Sequence, residues 1–395
     1  MKTIRVISLI TLELLLLNAR LLSQKTHETI NIEIVESYPT ETSLDHQDIR
    51  DTKNAWIEML QKAKKTIDIA QFYITSEKNE PMEEIISEIK SAAKRGVNIR
   101  IITDSGFYKK YPSNVDDLSG NKGITVNKID LKGLTGGVMH AKYFIVDSEE
   151  TFLGSQNFDW RSLKHIQEIG VRVKSKEFSE KVLKIFNIDW EISSSGILPK
   201  INTAETPDKS GNFISLSNDL RIKPVVSPPS FSPSDLSGEL DEIVNLIEAA
   251  EKDVLIQVMN YSPKAYNECD LTIDNAIRNA AGNGKKIKLL VSDWSLKYPH
   301  INYLKSLSII PNIEVKILSI PRYSQKYIPF ARVIHSKFVI SDDKIFYIGS
   351  SNFEPGYFKK SRNLGIIVQN TEMAKKLRQV FFDSWTSNYS SYIEL

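Results

Sequence analysis

The chain has 395 residues, 41% of them apolar and 25% charged, which is typical of a globular protein long enough for two hydrophobic cores. Its formal net charge of +2 excludes a chain that is basic throughout, so any surface for nucleic acid would have to be local. The single cysteine, Cys269, excludes an internal disulfide and a metal site built from cysteines.

The first residues have the layout of a targeting segment. Lys2 and Arg5 precede an apolar run at residues 6–17. We therefore predict a signal peptide or N-terminal anchor at residues 1–25, and a secreted, periplasmic or otherwise extracytoplasmic location. Glu13 interrupts the run, which keeps an uncleaved helix that anchors the chain to a membrane as the alternative.

Strand and helix patterns alternate in the first half of the chain. The apolar residues Trp56, Met59, Leu60 and Ala63, for example, have the spacing of one helix face. The predicted elements, in chain order, are strand 30–35, helix 52–65, strand 66–73, helix 81–95, strands 97–103 and 124–129, a hairpin at 140–154, strand 168–173 and helix 177–190.

The second half repeats this order after a change in character. Residues 193–237 are rich in Ser, Pro, Asn and Gly but keep scattered apolar residues, so we predict an ordered connector. The elements predicted after it are helix 240–250, strand 253–259, helix 271–282, strands 287–292 and 313–318, a hairpin that starts at His335, and helix 371–385. This alternation predicts the α/β fold class, with β-sheets covered by helices.

Two segments of the chain carry the same residues in the same register. The matched residues, each pair 195 positions apart (335 − 140), are His140 and His335, Lys142 and Lys337, Asp147 and Asp342, Gly154 and Gly349, Ser155 and Ser350, and Asn157 and Asn352. The register holds without a gap as far as Trp190 and Trp385. The chain is therefore a tandem duplication, and we place the two repeats at residues 26–192 and 238–395.

The shared residue types suit the chemistry of a phosphate group. Alternate residues of a strand point to one face, so His140 and Lys142 should lie side by side, and so should His335 and Lys337. An ammonium can hold the anion while an imidazole attacks it or moves a proton. The asparagines add uncharged amide donors, and the Gly-Ser pairs let the backbone come close. The aspartates five residues after each lysine leave this face, so we expect them to be structural turn residues.

The pattern His-x-Lys-x4-Asp-x6-Gly-Ser-x-Asn resembles the signature of the phospholipase D superfamily, and it occurs twice, complete. Stretches at residues 157–163, 257–263 and 328–335 are similar to the animal lysosomal phospholipase D-like 5′ exonucleases and their poxvirus envelope relatives. The likeness covers residues 43–385, nearly the whole chain.

The resemblance implies two repeats that face each other across a pseudo-twofold axis and share one active site. One histidine attacks phosphorus and becomes a phosphohistidine, while the other protonates the leaving oxygen and then activates water. Lys142, Lys337, Asn157 and Asn352 would hold the nonbridging oxygens as charge builds. The resemblance implies no metal and no other cofactor. The alternative, a binding scaffold with a decayed site, is disfavoured because both motifs are complete.

One position near the motifs differs between the repeats. Glu168 in the first corresponds to Asn363 in the second, and in the superfamily an acidic residue near here orients a catalytic imidazole. If the pairing crosses between repeats, Glu168 orients His335, which would then be the nucleophile. If the pairing stays within a repeat, the nucleophile is His140, as is conventional in much of the superfamily. We favour the crossed pairing, because a strand after the motif can reach the seam between the repeats.

The substrate is left open between two classes. The resemblance implies a 5′ exonuclease on single-stranded DNA or RNA, and the alternative is hydrolysis or headgroup exchange of phospholipids at a membrane surface. Single-strand binding needs aromatic side chains that stack on bases, whereas lipid binding needs an apolar rim. The candidate stacking residues are Tyr73, Phe107, Tyr108, Tyr261 and Tyr357, although aromatic residues at strand ends are more often part of a core. Neither the residues that bind substrate nor the oligomeric state follows from the sequence.

Overall fold

The structure is a computed structural model that describes residues 31–199, 213–265 and 268–394. The segment predicted as a signal peptide or anchor, residues 1–25, lies outside the described residues. Within the described ranges, no helix combines the length and the apolar character needed to cross a membrane.

The first repeat forms an eight-stranded sheet surrounded by helices. Its strands are β1 (Ile32–Ser37), β2 (Arg50–Asp51), β3 (Thr66–Gln71), β4 (Ile74–Thr75), β5 (Asn98–Asp104), β6 (Ile124–Ile129), β7 (Tyr143–Val146), β8 (Glu150–Gly154), β9 (Phe158–Asp159) and β10 (Glu168–Lys174). The sheet order is β2-β1-β10-β8-β7-β3-β5-β6, and β4 pairs separately with β9. Its helices are Thr52–Lys62, Met82–Lys94, Ser105–Tyr108, Ser113–Ser119, Leu131–Thr135 and Lys176–Ser195.

The second repeat forms a ten-stranded sheet. Its strands, with the hairpin β15–β16 beside the sheet, are β11 (Ile214–Ser215), β12 (Arg221–Ser227), β13 (Ser237–Gly238), β14 (Asp253–Val258), β15 (Lys264–Ala265), β16 (Glu268–Cys269), β17 (Lys286–Ser292), β18 (Ile313–Leu318), β19 (Phe338–Ser341), β20 (Ile345–Gly349), β21 (Asn363–Gln369) and β22 (Ser390–Tyr392). The sheet order is β11-β12-β21-β20-β19-β14-β17-β18-β22, with β13 paired to β12. Its helices are Glu239–Ala249, Thr272–Gly282, His300–Ser308, Pro355–Lys359 and Thr371–Thr386, with short 3-10 turns at Pro229–Phe231 and Asp293–Leu296.

The two sheets have the same topology at their centres. Strands β3, β5 and β6 are parallel, as are β14, β17 and β18. In each repeat the hairpin after the motif continues the sheet in antiparallel pairs, β7–β8 and β19–β20. The duplication and the α/β fold class predicted from the sequence are therefore confirmed.

The sheet of the second repeat begins earlier in the chain than residue 238, the boundary predicted from the sequence. Strand β12 pairs with β21 as β1 pairs with β10, and it lies inside the segment 193–237 that we assigned to a connector. Pro224, near the middle of β12, hid this strand, because proline lacks the N–H that a sheet ladder needs. At the other end of that segment, helix Lys176–Ser195 runs past residue 192.

The repeats share a central core. One cluster of buried apolar side chains contains residues of both sheets and of both closing helices, Lys176–Ser195 and Thr371–Thr386. Each repeat also has an outer cluster of buried apolar side chains. In the first repeat this cluster contains Trp56, Met59 and Leu60 of helix Thr52–Lys62, which are buried as their spacing predicts. Since the central cluster belongs to both repeats, they hold each other in place.

Two backbone bridges join the repeats at a seam. Met139 pairs with Arg362, and Gln167 pairs with Ile334, both in parallel orientation. The bridges are related by the pseudo-twofold axis, because each residue of one lies 195 positions from a residue of the other. Met139 precedes His140 and Arg362 precedes Asn363, so the first bridge brings His140 close to Asn363. The second bridge likewise brings His335 close to Glu168.

Candidate active site

The two motif histidines are oriented by side chains of the opposite repeat. Nδ1 of His335 lies 2.8 Å from Oε2 of Glu168, and Nδ1 of His140 lies 2.9 Å from Oδ1 of Asn363. The other carboxylate oxygen of Glu168 accepts a hydrogen bond of 2.6 Å from Ser162. These contacts occupy Nδ1 of each imidazole and leave Nε2 for a substrate. The crossed pairing predicted from the sequence is confirmed.

The seam explains why the pairing crosses. The backbone N–H of His140 donates to the carbonyl of Arg362 at 2.9 Å, and the backbone N–H of His335 donates to the carbonyl of Gln167 at 2.8 Å. Each histidine is therefore fixed next to the residue that precedes its orienting side chain. One expectation was wrong in detail. Strand β7 begins at Tyr143 and β19 at Phe338, so the histidines and lysines of the motifs lie in extended segments just before the strands.

The motif lysines are buried beside the histidines. Nζ of Lys142 donates to the backbone carbonyl of His140, and Nζ of Lys337 donates to that of His335. Burial lowers the pKa of Lys142 well below its usual range and lowers the pKa of Lys337 to about 7. In the described part of the chain neither lysine forms a salt bridge with a carboxylate. The charge of Glu168 opposes the shift at both lysines, and an anionic phosphate between the two ammonium groups would add a counter-charge in direct contact with them.

The electrostatic surroundings of the two imidazoles differ. Burial, and then the charges of Lys142 and Lys337, lower the pKa of His140 well below its usual value. Burial also lowers the pKa of His335, but the charge of Glu168 opposes this shift. Because Lys337 of one repeat acts on His140 of the other, the four motif side chains belong to one shared site.

Asn157 and Asn352 follow the Gly-Ser pairs of the two motifs. Their residues are 6% and 2% exposed, and within the described residues the side-chain Oδ1 of each lacks a hydrogen-bond partner. A buried amide without a partner carries a free-energy penalty that a bound ligand could remove. A carboxamide can turn either its oxygen or its NH2 group toward a ligand, so both residues are suited to donate to phosphate oxygens.

The remaining motif residues have structural contacts. The carboxylate of Asp147 accepts hydrogen bonds of 2.7–2.9 Å from the backbone N–H groups of Lys64, Lys65 and Thr66. Asp342 makes the matching contacts in the second repeat, with the backbone of residues 251–253. Both aspartates therefore fix the turn between a helix and a central strand, which agrees with the turn role predicted for them.

The Gly-Ser pairs hold the hairpins against the next strands. A Cβ atom at Gly154 would lie 2.5 Å from Cα of Gly170, and one at Gly349 would lie 2.0 Å from the hydroxyl of Tyr347. The hydroxyls of the adjacent serines accept hydrogen bonds from strands β10 and β21. These bonds are 3.1 Å long for Ser155 with the backbone N–H of Ile169, and 3.2 Å for Ser350 with that of Leu364.

A second asymmetry between the repeats lies at Asp159 and its counterpart Glu354, 195 positions later. Asp159 accepts two hydrogen bonds of 3.0 Å from Nε of Arg161 and one of 2.8 Å from the hydroxyl of Tyr73. Glu354 is also buried but, among the described residues, its carboxylate forms no salt bridge and has only an amide partner, Asn260. Burial raises the pKa of Glu354 to about 7. The position of Arg161 is a glycine in the second repeat, so the difference could have been found in the sequence.

Aromatic side chains line the His140 side of the cleft. The rings of Phe72 and Tyr357 lie 5.0 and 4.8 Å from the imidazole of His140, and Phe107 lies 3.9 Å from Phe72. The candidate Tyr261 is instead buried in the core, where it donates to Asp274. Tyr108, also a candidate, donates to Asp116, whereas Tyr73 packs on Phe107 at 5.6 Å. Phe72 was not among the residues predicted from the sequence, although it follows the central strand β3 and is therefore placed at the sheet edge that holds the site.

In the part of the chain that the structure describes, no three His, Cys, Asp or Glu side chains are grouped as ligands for a metal ion. The arrangement described above consists of two imidazoles, two ammonium groups and two amides around one cleft. Such a set can bind a phosphodiester, attack it and transfer protons with its own side chains.

Comparisons with known proteins agree with this arrangement. A family model for the cardiolipin synthase PLD-like domain matches residues 56–190 and again residues 243–385. The chain is 29% identical to phospholipase D Z of Dictyostelium discoideum, over 91% of this chain and 90% of that protein. It is 32% identical to the 5′-3′ exonuclease PLD3 of Xenopus tropicalis, over 85% of this chain and 75% of that protein. Phosphatidylserine synthase of Haemophilus influenzae has a similar fold, with a TM-score of 0.60 at 15% identity over 86% of this chain and 85% of that one. The chain therefore belongs to the phospholipase D superfamily, with two PLD-like domains that build one site of a phosphodiester hydrolase.

Proposed function

We propose that the protein cleaves phosphodiesters through a phosphohistidine on His335, with His140 as the acid and base. The observation that carries this assignment is the unequal pairing of the two imidazoles, a carboxylate for His335 and an amide for His140. A carboxylate at Nδ1 makes Nε2 more nucleophilic and stabilises the positive charge that the ring gains. An amide partner leaves His140 the stronger acid of the two, so it gives up a proton more readily.

In the first step, Nε2 of His335 attacks phosphorus and the bond from phosphorus to the leaving oxygen breaks. Nε2 of His140 gives its proton to that oxygen, so an alcohol leaves. Lys142 and Lys337 offset the charge on the nonbridging oxygens, and the two motif asparagines donate to the same oxygens.

In the second step, the neutral His140 takes a proton from water and the water oxygen attacks phosphorus. The bond between phosphorus and Nε2 of His335 breaks, which releases a phosphomonoester and returns both imidazoles to their starting states. An alcohol in place of water would give transfer to a second molecule by the same route.

For the substrate we propose single-stranded DNA or RNA, cleaved from a 5′-hydroxyl end. Support comes from several relatives named 5′-3′ exonuclease, which are 28–32% identical to the chain over 85–86% of its length. The aromatic side chains beside His140 also suit nucleic acid. Phospholipid is the second candidate, because relatives named phospholipase D match 91% and 99% of the chain.

Two parallel incubations test the substrate class. The protein is mixed with a 5′-hydroxyl oligodeoxynucleotide or with phosphatidylcholine vesicles, each in the presence of a chelator. Release of nucleotides from the 5′ end supports the proposal, whereas lipid turnover beside an intact oligonucleotide would reverse it. The variants His140→Ala and His335→Ala serve as controls, because each should remove nearly all turnover while the protein remains folded.

We further propose that the protein acts outside the cytoplasm, on the basis of the basic and then apolar residues at its start. N-terminal sequencing of the mature protein tests this location. A chain that starts near residue 26 supports it, and an intact Met1 on protein recovered from cytosol would contradict it.

A further inference from the structure

Aromatic residues lie on two sides of His140, Phe72 with Tyr73 and Phe107 on one side and Tyr357 on the other; we name these four residues the aromatic wall. The rings of Phe72, Tyr73 and Phe107 pack on one another, with centroids 3.9–5.6 Å apart. All four residues are only partly buried. Each residue therefore keeps some accessible surface that a ligand can contact.

The aromatic wall belongs to one side of the cleft only. Ala70 of β3 faces Tyr143, as Gln257 of β14 faces the matching residue Phe338, so the two strands can be aligned position by position. By this alignment Phe72 corresponds to Met259 and Tyr73 corresponds to Asn260. The counterpart of Tyr357, 195 residues earlier, is Ser162. The pseudo-twofold axis thus relates these three aromatic residues to positions that carry no aromatic ring, and the ring on the other side, Trp294, packs against Met259.

The geometry of phosphoryl transfer determines which part of the substrate lies beside the aromatic wall. In phosphoryl transfer the attacking atom and the leaving oxygen lie roughly in line on opposite sides of phosphorus. If His335 attacks, the leaving oxygen faces His140, whose imidazole is flanked by Phe72 at 5.0 Å and Tyr357 at 4.8 Å. The group attached to the leaving oxygen must then lie along the aromatic wall.

We propose that the bond from phosphorus to O5′ of the second nucleoside from the 5′ end breaks, and that the aromatic wall stacks on the base of this leaving nucleoside. This inference rests on the proposed function and specifies what the leaving side of the site recognises. Any base offers a flat ring to stack on, so such a surface binds a single strand without selecting its sequence. A base covers more of the apolar surface of the wall than the sugar alone can cover.

The charges on the aromatic wall favour a nucleotide over a cationic lipid headgroup. Nζ of Lys142 lies 5.1 Å from the ring centre of Phe72, and Nζ of Lys110 lies 4.6 Å from that of Phe107. A quaternary ammonium would compete with these ammonium groups for the same rings and be repelled by them. A nucleotide gains from the rings, on which its base can stack, and from the positive charges, which attract its phosphate. Exposed Lys109 and Lys110 can reach the phosphate that follows the base.

Two dinucleotides test the inference. One is a 5′-hydroxyl thymidine dinucleotide, and the other has the same first nucleoside but an abasic sugar on the leaving side. The wild-type protein should cleave the first roughly ten times faster in kcat/KM, the scale of one base–aromatic stack. Phe107→Ala should bring this ratio close to one, because it slows cleavage of the thymidine dinucleotide more than cleavage of the abasic substrate. Phe107→Leu keeps apolar contact with Phe72 but lacks a flat ring, so it should lose the preference even if the alanine variant folds poorly.

Tyr298→Ala is the matched control, since Tyr298 is 81% exposed and lies outside the wall. This variant should keep the wild-type ratio. Equal cleavage of both dinucleotides by the wild-type protein would overturn the stacking inference alone. The same holds if Phe107→Ala and Phe107→Leu both keep the full preference. Cleavage of neither dinucleotide by a protein that still hydrolyses a chromogenic phosphodiester would overturn both the stacking inference and the proposed nucleic-acid substrate.

Discussion

Asp189 and Arg362 form a fully buried ion pair that joins the two repeats, with Nε of Arg362 2.9 Å from both carboxylate oxygens. The pair has a pseudo-twofold counterpart, because Gln167 donates to Ser384 at 2.9 Å. In both places the residue next to an imidazole-orienting side chain is attached to the closing helix of the other repeat. Two contacts at equivalent positions therefore support the active site. One is the charged pair Arg362–Asp189, and the other is the neutral pair Gln167–Ser384.

Replacement of the charged pair Asp189–Arg362 by the neutral Ser–Gln pair of the other repeat tests whether the two contacts stabilise the protein in the same way. Asp189→Ser should lower the free energy of unfolding by about 3–5 kcal/mol, because it leaves the guanidinium of Arg362 buried without its partner. The double variant Asp189→Ser with Arg362→Gln copies the neutral pair and should recover part of this loss. Chemical denaturation measures both. If the double variant is no more stable than Asp189→Ser alone, the two contacts are not interchangeable.

The pH dependence of turnover follows from the two imidazoles. Burial lowers the pKa of both His140 and His335 below the ordinary value of 6.5. In the proposed roles His335 must be neutral to attack, whereas His140 must carry the proton that it donates. As pH rises His140 loses this proton, so kcat/KM should be greatest on the acidic side of 6.5 and should fall toward alkaline pH. A profile that rises between about pH 6 and 8 would contradict these roles.

Asn363→Asp should move the alkaline limb of this profile. The new carboxylate lies beside His140 and raises its pKa, so the loss of activity should occur at higher pH than in the wild-type protein. Glu168→Gln is the matched change at His335. It should lower kcat roughly 100-fold, because the nucleophile loses its carboxylate, and it should shift the acidic limb to lower pH. If both variants shift the same limb, the two imidazoles do not have separate roles.

Much of the fold and the site could be predicted from the sequence, because the duplication supplied two copies of each signal. Strands at Ile124–Ile129 and Ile313–Leu318 have the predicted bounds, since alternating apolar residues and flanking turn residues define them. The crossed pairing of Glu168 with His335 also followed from the topology. Strand β12 was missed because Pro224 interrupts its pattern.

Other features could not be predicted because they depend on contacts between distant residues. Asp189 and Arg362 are 173 positions apart in the chain, and no local sequence pattern relates them. The aromatic wall collects rings from three separate segments, which are the residues after β3, helix Ser105–Tyr108 and, in the opposite repeat, helix Pro355–Lys359. Tyr261, a candidate for the cleft, follows the alternative stated for aromatic residues at strand ends, since its side chain turns into the core.

Glu354 should make stability depend on pH. Burial raises its pKa in the folded protein to about 7, above the ordinary value of 4.5, so its favourable contribution is complete below 4.5 and is lost as pH rises toward 7. Glu354→Gln lacks this dependence. The variant should melt at the same temperature as the wild-type protein at low pH and at a higher temperature near neutrality.

Asp159→Asn is the matched control for that measurement. Asp159 is paired with Arg161, so its replacement should lower the melting temperature at neutral pH. Opposite signs for the two variants are expected. A lower melting temperature for Glu354→Gln at neutral pH would show that the ionised carboxylate has a stabilising partner.

The assignment of the two histidines is tested most directly by single-turnover kinetics on a diester with a p-nitrophenyl leaving group, which needs no proton to depart. His140→Gln should release one equivalent of p-nitrophenolate per protein molecule and then stop, because His335 still attacks but nothing activates water. Digestion of the quenched protein should locate the phosphoryl group on His335. His335→Gln should show no burst. A burst from His335→Gln with phosphate on His140, and none from His140→Gln, would contradict the account.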